Sequence, residues 1–570
     1  MAGSAFAQYR RGVNVSGAEF GNKVIPGVLG TNYTFNSENT FRYFNQKQLS
    51  LFRVPVLWER LQPVLRQPLD PAYLSGLKAN IGWAKAYGGQ VIIDIQNFGR
   101  YSMNEGGSLN TYIIDNPAPD GTIKVSASDL ADLWVRLSSE FKFDGGVYAY
   151  DLMNEPHDMG SANWQSISQT VVGAIRANQD DKLLLVPGNA WSTANRWLSV
   201  NGSNSWIDDP SNNFMYEAHV YFDSDESGTY ALSYDAELAR NSDLANVGRT
   251  RLSHFISWVQ ANNVRGIIDE YGIPDNDSRW GTVLENFFAA LDAAGMDGAY
   301  WAAGEWWGNY PLSVQPAANF TQDRPQMANL EAHLGHGYLT ALSSASVSVA
   351  RATSGSLVTV YGPNFTTETA QALTVPYPIA LADITVEITD SSGATASAGL
   401  LFVSPGQINF QMPLLLAPGR ANIVVKRAGT AVAAGSIQVA LTAPAIFTAN
   451  SAGYGLPAAW LIRIKADGSV SYEPIAQFDG TQFNPVPIDF GAPADRLFLS
   501  LYGTGIHGSS ITAAIAGAAA PVDYAGPQGQ YPGLDQINVE LSRTLAGAGT
   551  VNVSVSADGV AANAVSLAFK

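Results

Sequence analysis

In YDLMNEPHD, Tyr150 to Asp158, an apolar run carrying Leu152 and Met153 halts at Asn154-Glu155-Pro156, where the proline keeps the backbone from passing straight into a helix. A second apolar run, RGIIDE, ends on Glu270 much further along the chain. A strand end is a rigid mount, so a side chain placed there can be aimed. Two carboxyl groups aimed across one opening suit the cleavage of a glycosidic bond. Its oxocarbenium-like transition state needs one group to protonate the leaving oxygen and another to attack or to activate water. A separation of about 5 Å would make the outcome retaining, and roughly 7 to 9 Å would make it inverting. The bland alternative, an ion pair that closes a barrel, is disfavoured because carboxylates at barrel strand tips are usually chemical.

What must hold such a pair is a set of parallel strands. Up to about residue 340, apolar runs alternate with stretches of helical periodicity such as LSGLKANIGWAKAYG and ASDLADLWVRLSSEF. Eight runs can be read: GVNVSG (12–17), LFRVPV (51–56), VIIDI (91–95), VYAYDLM (147–153), LLLVPG (183–188), FMYEAHV (214–220), RGIIDE (265–270) and GAYWAA (298–303). Several are apolar on both faces, as strands between a barrel interior and its outer helices must be. Their C-terminal ends carry Glu19, Arg53, Gln96 and Asn97, Asn154 and Glu155, Trp191, His219 and Tyr221, Glu270, and Trp301, in order. In a (β/α)8 barrel chemistry sits at those ends.

The rest of the chain has a different texture. Of 13 Trp, Trp460 alone lies beyond residue 310, and short Val, Ile, Thr and Ala runs broken by Gly, Pro, Ser and Asp read as antiparallel sandwich. VTVYG (358–362) recurs as LSLYG (499–503), and Gln407-Ile408-Asn409 recurs as Gln536-Ile537-Asn538, in the same order. The expected fold class is α/β: a (β/α)8 TIM barrel over 8–340, then a C-terminal all-β region of two Ig-like sandwich units, 341–442 and 443–570.

Composition narrows the function. A formal charge of −17 repels nucleic acid and anionic lipid and favours a neutral or cationic partner, for which a polysaccharide is suitable. With no Cys there is no disulfide, thiol nucleophile or thiolate metal site, and the six His show no ligand spacing beyond the weak pair His333 and His336, which argues against a zinc enzyme. No run of about 18 apolar residues appears, so no membrane helix is expected. Ala5 and Ala7 just before Gln8 form the A-x-A pattern of a signal-peptidase site, and secretion is the expectation drawn from it.

RGVNVSGAEFG, LFRVPVLWERLQP, MNEPHD, LLLVPGNAW, MYEAHVYFDSDESGTY, IIDEYG and YWAAG, in this order, resemble glycoside hydrolase family 5, and most of all its microbial endo-β-1,4-glucanases. The resemblance covers the first 340 or so residues. It implies a retaining, endo-acting hydrolase of β-1,4-glucan, working as a monomer without metal or cofactor, with Glu155 as acid/base and Glu270 as nucleophile. Other β-glycans (mannan, xylan, xyloglucan, mixed-linkage glucan) remain open as substrates, as does a catalytically silent glycan binder. It further implies that Arg53 and Tyr221 hold Glu270 ionised, that Asn154 holds the sugar 2-hydroxyl, that His219 helps set protonation, and that Trp301 forms an apolar floor. Gln96 and Asn97 would meet the substrate. Trp58, Trp191, Trp306 and Trp307 are candidate stacking platforms, against the general tendency of Trp to lie in the core. Glu19, Glu217 and Glu305 would be subsite or supporting carboxylates, and His157 a surface or loop histidine.

The sequence departs from the family at VIIDIQNFGRY, where the family usually has His-Asn and this chain has Gln96, which can donate and accept but cannot become a cation. The tail, with PAIFTANSAGYG and VSPGQINFQMP, resembles a β-sandwich domain appended to many secreted bacterial proteins. With one Trp it is expected to serve as a spacer, a stabilising element or a surface-association domain, with sugar binding through scattered aromatic rings as the alternative.

Overall fold

The computed structural model describes residues 8–347 and 349–570, so the Ala5–Ala7 pattern lies outside the described residues. The chain divides into two compact units, one ending at His336 and the other running from Gly337 to Lys570.

In the first unit eight strands close a barrel: β1 (Arg11–Val15), β2 (Leu51–Val56), β3 (Gln90–Ile95), β4 (Val147–Asp151), β5 (Leu183–Pro187), β6 (Phe214–His219), β7 (Gly266–Glu270) and β8 (Asp297–Ala303). Each pairs in parallel with its sequence neighbours, and β8 pairs with β1. All eight expected runs are barrel strands. Helices on the outside are begun by residues whose side chains cap them: Asp70 accepts from the Tyr73 amide ahead of Pro71–Ala86, and Ser126 with Asp129 forms a capping box for Ala127–Phe141. An antiparallel hairpin, Arg100–Glu105 with Ser108–Ile113, fills the connection after β3.

Period-two alternation gives the barrel lumen two layers. Leu51, Ile92, Ala149, Leu185, Met215 and Ile267 form an apolar plug. Two residues further along the same strands come Arg53, Asp94, Asp151, Glu217 and Asp269, each fully buried. The apolar face of the lumen therefore becomes a charged one near the C-terminal ends. Between β6 and β7 the register slips, so that Ala218 faces Ile268 but His219 faces Glu270. Such a bulge re-aims side chains. Here it lets the consecutive residues Asp269 and Glu270 both reach Arg53, at 3.3 and 2.9 Å.

The second unit is built of antiparallel sheets over two apolar cores, one spanning Leu339 to Val439 and the other Ile446 to Phe569. One sheet of the first half runs in the order Thr340–Ser343, Leu357–Tyr361, Gln407–Gln411, Gly399–Val403. The corresponding order in the second half is Ala459–Ile464, Arg496–Thr504, Asp535–Glu540, Val522–Pro527. The sequence repeat is thus a structural one. Its Gln-x-Asn signature is an amide pair on one sheet face, with Gln407 Nε2 donating to Asn409 Oδ1 at 2.8 Å and Gln536 Nε2 to Asn538 Oδ1 at 2.9 Å.

Candidate active site

Just beyond β4 the backbone keeps barrel pairing as far as Asn154, whose amide donates to the Ile95 carbonyl at 2.7 Å. Glu155 then turns at φ 45°, in the left-handed region, and the following proline would favour extended backbone there. A non-glycine residue held so costs about 1–3 kcal/mol and is found where surrounding structure fixes it for a purpose. The turn leaves Glu155 half-buried beside the sealed Glu270. Glu155, His219 and Glu270 each place a ligand atom within 4.8 Å of the other two.

Glu270 is gripped on both oxygens: Arg53 Nη1 donates to Oε1 at 2.9 Å and the Tyr221 hydroxyl to Oε2 at 2.9 Å. Arg53 also reaches Asp151 Oδ2 through Nε and Nη2, at 2.8 and 2.7 Å, and donates to Asn14 Oδ1 at 3.0 Å and Asn154 Oδ1 at 2.8 Å. Its contact fixes the Asn154 amide and leaves Nδ2, buried and without a partner, as a donor for something else. His219 Nδ1 lies 2.7 Å from Glu155 Oε1 and 3.6 Å from Glu270 Oε2, while Nε2 lies 3.5 Å from Asp269 Oδ1.

More carboxyl groups than cations are sealed here, so some must be neutral. Burial raises Asp94 well above its ordinary value despite the pull of Arg53, and burial together with the Asp151 and Asp269 charges does the same to Glu217. Against its own burial, Asp269 is pulled below the usual range by Arg53 and His219. Burial would lower His219, but Glu270, Asp269 and Glu155 around it raise it well above an ordinary imidazole. Burial also raises Glu270, outweighing the opposing pull of His219 and Arg53, so its net shift runs opposite to the lowering expected from its partners alone. Glu217, His219 and Asp269 form a second grouping with cation-ligand spacing. A cation at either grouping would have to displace the His219 proton that the surrounding carboxylates favour.

The other expected site residues divide. Trp301 is half-buried beside Trp307, ring centroids 6.0 Å apart, and Trp307 stacks on Tyr310 at 4.3 Å. Trp306 and Trp191 are exposed at 42% and 39%, as platforms must be. Trp191 sits in a run of left-handed residues, Ala190, Trp191 and Ser192. Its ring stacks on His157 with centroids 4.4 Å apart and planes 12° apart. His157 is therefore not a free loop histidine but the backing of Trp191. Trp58 does not serve as a platform: it is fully buried, packed edge-on against Tyr101 with its N–H on Gln62. Asn97 is likewise spent on the scaffold, with Oδ1 accepting from the Trp58 amide and Nδ2 donating to Glu59 at 2.7 Å. Its neighbour Gln96, 8% exposed, keeps Oε1 without a partner.

Among the extra carboxylates, Glu217 lies in the charged lumen layer beneath the pair. Glu305 anchors its loop to the start of the Glu38–Gln46 helix by accepting from the Ser37 amide, the Ser37 hydroxyl and the Thr40 hydroxyl. Glu19, buried and accepting from the Gly17 amide, is pushed up to about 7 by burial. Sequence reasoning missed Asp94, Asp151, Asp269 and Tyr310. A signal for the aspartates was present, since an aspartate falls within or at the end of each of the apolar runs VIIDI, VYAYD and GIIDE, in the last just before Glu270. Tyr310, in the loop after β8, is pushed up to about 12 by burial and had no such signal.

The family model described as cellulase (glycosyl hydrolase family 5) matches residues 11–308. Endo-beta-1,4-glucanase B of Emericella nidulans is 30% identical over 326 residues, covering 57% of this chain and 90% of that protein. The crystal structure of Pseudomonas stutzeri endoglucanase Cel5A in complex with cellobiose is 35% identical, with a TM-score of 0.50 over 57% of this chain and 92% of that one. An endo-beta-1,4-glucanase of Xanthomonas axonopodis pv. citri is also 35% identical, with a TM-score of 0.50 over 57% of this chain and 98% of its own.

Proposed function

The chain belongs to glycosyl hydrolase family 5, the cellulase family, and from that premise we propose that its barrel cleaves internal bonds of β-1,4-glucan with retention of configuration, Glu155 acting as acid/base and Glu270 as nucleophile. The observation that carries the stereochemical part is the carboxylate spacing. One carboxylate oxygen of Glu155 and one of Glu270 lie within 4.8 Å of each other, which supports the close spacing of a retaining pair over the roughly 6.5–9.5 Å between carboxyl groups that an inverting pair keeps to admit a water.

In the first step Glu270 attacks the anomeric carbon while Glu155 gives its proton to the departing glycosidic oxygen, leaving a glycosyl ester on Glu270. In the second, the Glu155 carboxylate takes a proton from water, whose oxygen displaces Glu270. Arg53 and Tyr221 hold the nucleophile's two oxygens apart from the proton-bearing partner, and protonated His219 sits between the carboxylates. Asn154 Nδ2 is the donor available for the sugar 2-hydroxyl, and the unpartnered Gln96 Oε1 is an acceptor beside it on the neighbouring strand tip. Trp301 floors the reacting sugar, with Trp191, Trp306 and Trp307 as stacking surfaces. The choice of β-1,4-glucan over other β-glycans is supported by the names of the relatives and by the cellobiose complex of the Pseudomonas enzyme. A polymeric substrate cannot enter a cell, so the reading includes secretion, and since one barrel holds every group the chemistry uses, it includes a monomer.

The test is rescue. Glu155→Ala and Glu270→Ala should each abolish release of reducing sugar from carboxymethyl cellulose; on an activated aryl β-cellobioside, whose phenolate departs without a proton, azide should restore turnover in both, yielding the β-glycosyl azide from the first and the α-anomer from the second. The same anomer from both variants would refute the assignment of roles.

A further inference from the structure

The two halves of the tail share a sheet order, yet one row of residues across that sheet is closed in the first half and open in the second. In the first half the row reads Leu342, Thr359, Asn409, Phe402. Leu342 is buried there, and the Thr359 hydroxyl is paired with the Ser344 hydroxyl at 2.9 Å. In the second half the row reads Pro474, Trp460, Ser500, Asn538, Tyr524, each directly opposite the next on adjacent strands. Leu461, Leu499, Leu501, Ile537 and Val539 fill the core, so their alternating neighbours in this row face the other way. Trp460 is 44% exposed and Tyr524 42%, and Tyr472, two residues along the strand from Pro474 and on the same face, is 67% exposed. Between the rings lies Ser500, 2% exposed, with a hydroxyl that has no hydrogen-bond partner. Asn538, beside it, has its amide plane fixed by Gln536.

We infer that this row is a binding strip for a neutral β-glucan chain, an inference that rests on the barrel being a β-glucan hydrolase. Trp460 and Tyr524 stand three strand spacings apart, about 14 Å, the span of a few sugar rings. A pyranose offers an apolar C–H face and an equator of hydroxyls. The strip offers the matching order: ring, hydroxyl, amide, ring. A buried hydroxyl left without a partner costs free energy, and a sugar hydroxyl supplies what is missing. None of the five residues of the row is charged, and Arg496 is paired to Glu540 at 2.9 Å and lies over Phe498, leaving the exposed Asp523 beside Tyr524 as a charge at the edge of the strip. That combination suits an uncharged polymer and gives no attraction to an anionic surface. The sole Trp of the tail falls on the open row. The scarcity of Trp, which favoured a spacer, stabilising or surface-association role over sugar binding, concealed a single Trp placed on the open row.

The test uses the full chain carrying Glu155→Gln, so that polymer is not consumed, and measures retardation in native gels containing hydroxyethyl cellulose and retention on microcrystalline cellulose. Trp460→Ala and Tyr524→Ala should each weaken binding about two- to tenfold, the size of one aromatic contact, and Trp460→Phe should keep most of it. The same tail substitutions made in the otherwise unaltered enzyme should leave hydrolysis of soluble cellopentaose unchanged. Unchanged retention for both alanine variants would overturn the inference, as would a change in sedimentation showing that the row instead holds a second copy of the chain. Absence of cellopentaose hydrolysis by the unaltered enzyme would refute the reading of the barrel and with it the identity of the ligand; it is read separately from retention.

Discussion

In the proposed mechanism Glu270 is the residue on which the chemistry turns, and its surroundings pull in two directions. Burial raises its carboxyl above the ordinary value, while His219, Arg53 and the Tyr221 donor favour the charged form that attacks. The acid limb of kcat/KM, which reports this group in the free enzyme, therefore lies above that of an ordinary glutamate. In Tyr221→Phe the charged form loses a donor, so its pKa rises and the acid limb moves to higher pH. A hydrogen bond to a charged group is worth about 1.5–3 kcal/mol, which corresponds to about one to two pH units. A pH–rate profile with an unmoved acid limb would remove Tyr221 from this role. The partners of Glu270 were legible in the sequence because each stands in or just after a recognisable strand, Arg53 within β2 and Tyr221 just past β6. The fates of Trp58 and Asn97 were not. Both follow β2 and β3 closely enough to read as cleft residues, and only the hairpin packed over them, held by Glu59 and Tyr101, turns them inward.

At the scale of the strands, β2, β3, β4, β6 and β7 each place an apolar residue and then a charged one on the same inward face. The outcome is a sealed layer in which Arg53 and His219 compensate only part of the acid around them. If Glu217 holds a proton, as its burial and the neighbouring Asp151 and Asp269 charges dictate, Glu217→Gln keeps both shape and charge. It should leave turnover within severalfold of the parent and thermal stability little changed. Arg53→Leu should destabilise the barrel by about 3–5 kcal/mol, because it strands buried charge without its partner. Thermal denaturation of both variants checks the pair of outcomes; a Glu217→Gln protein as damaged as Arg53→Leu would mean that Glu217 is ionised. The eight strands were legible because several are apolar on both faces and each alternates with a stretch of helical periodicity. The hairpin Arg100–Glu105 with Ser108–Ile113 was not, since its residues are polar and half-exposed, with no core-facing alternation to announce it.

For the molecule as a whole, the barrel's apolar core is assembled from residues no later than Leu330, and the antiparallel bridge between Tyr9 and His336 joins the two ends of that unit. A chain ending at His336 should therefore fold alone and hydrolyse soluble substrate at close to the parental rate, as judged by circular dichroism and reducing-sugar release. Recovery of the shortened chain only as aggregate would show that the tail covers barrel surface. The two-fold repeat of the tail could be read from Gln-Ile-Asn and its neighbours, but its function could not, because exposure of Trp460 depends on strand register. The central claim is that Glu155 and Glu270 are a retaining pair, and the most direct measurement of it is time-resolved proton NMR of cellopentaose hydrolysis. The account predicts that the β-anomer of the newly formed reducing end appears first and the α-anomer only as mutarotation proceeds; first appearance of the α-anomer would contradict it.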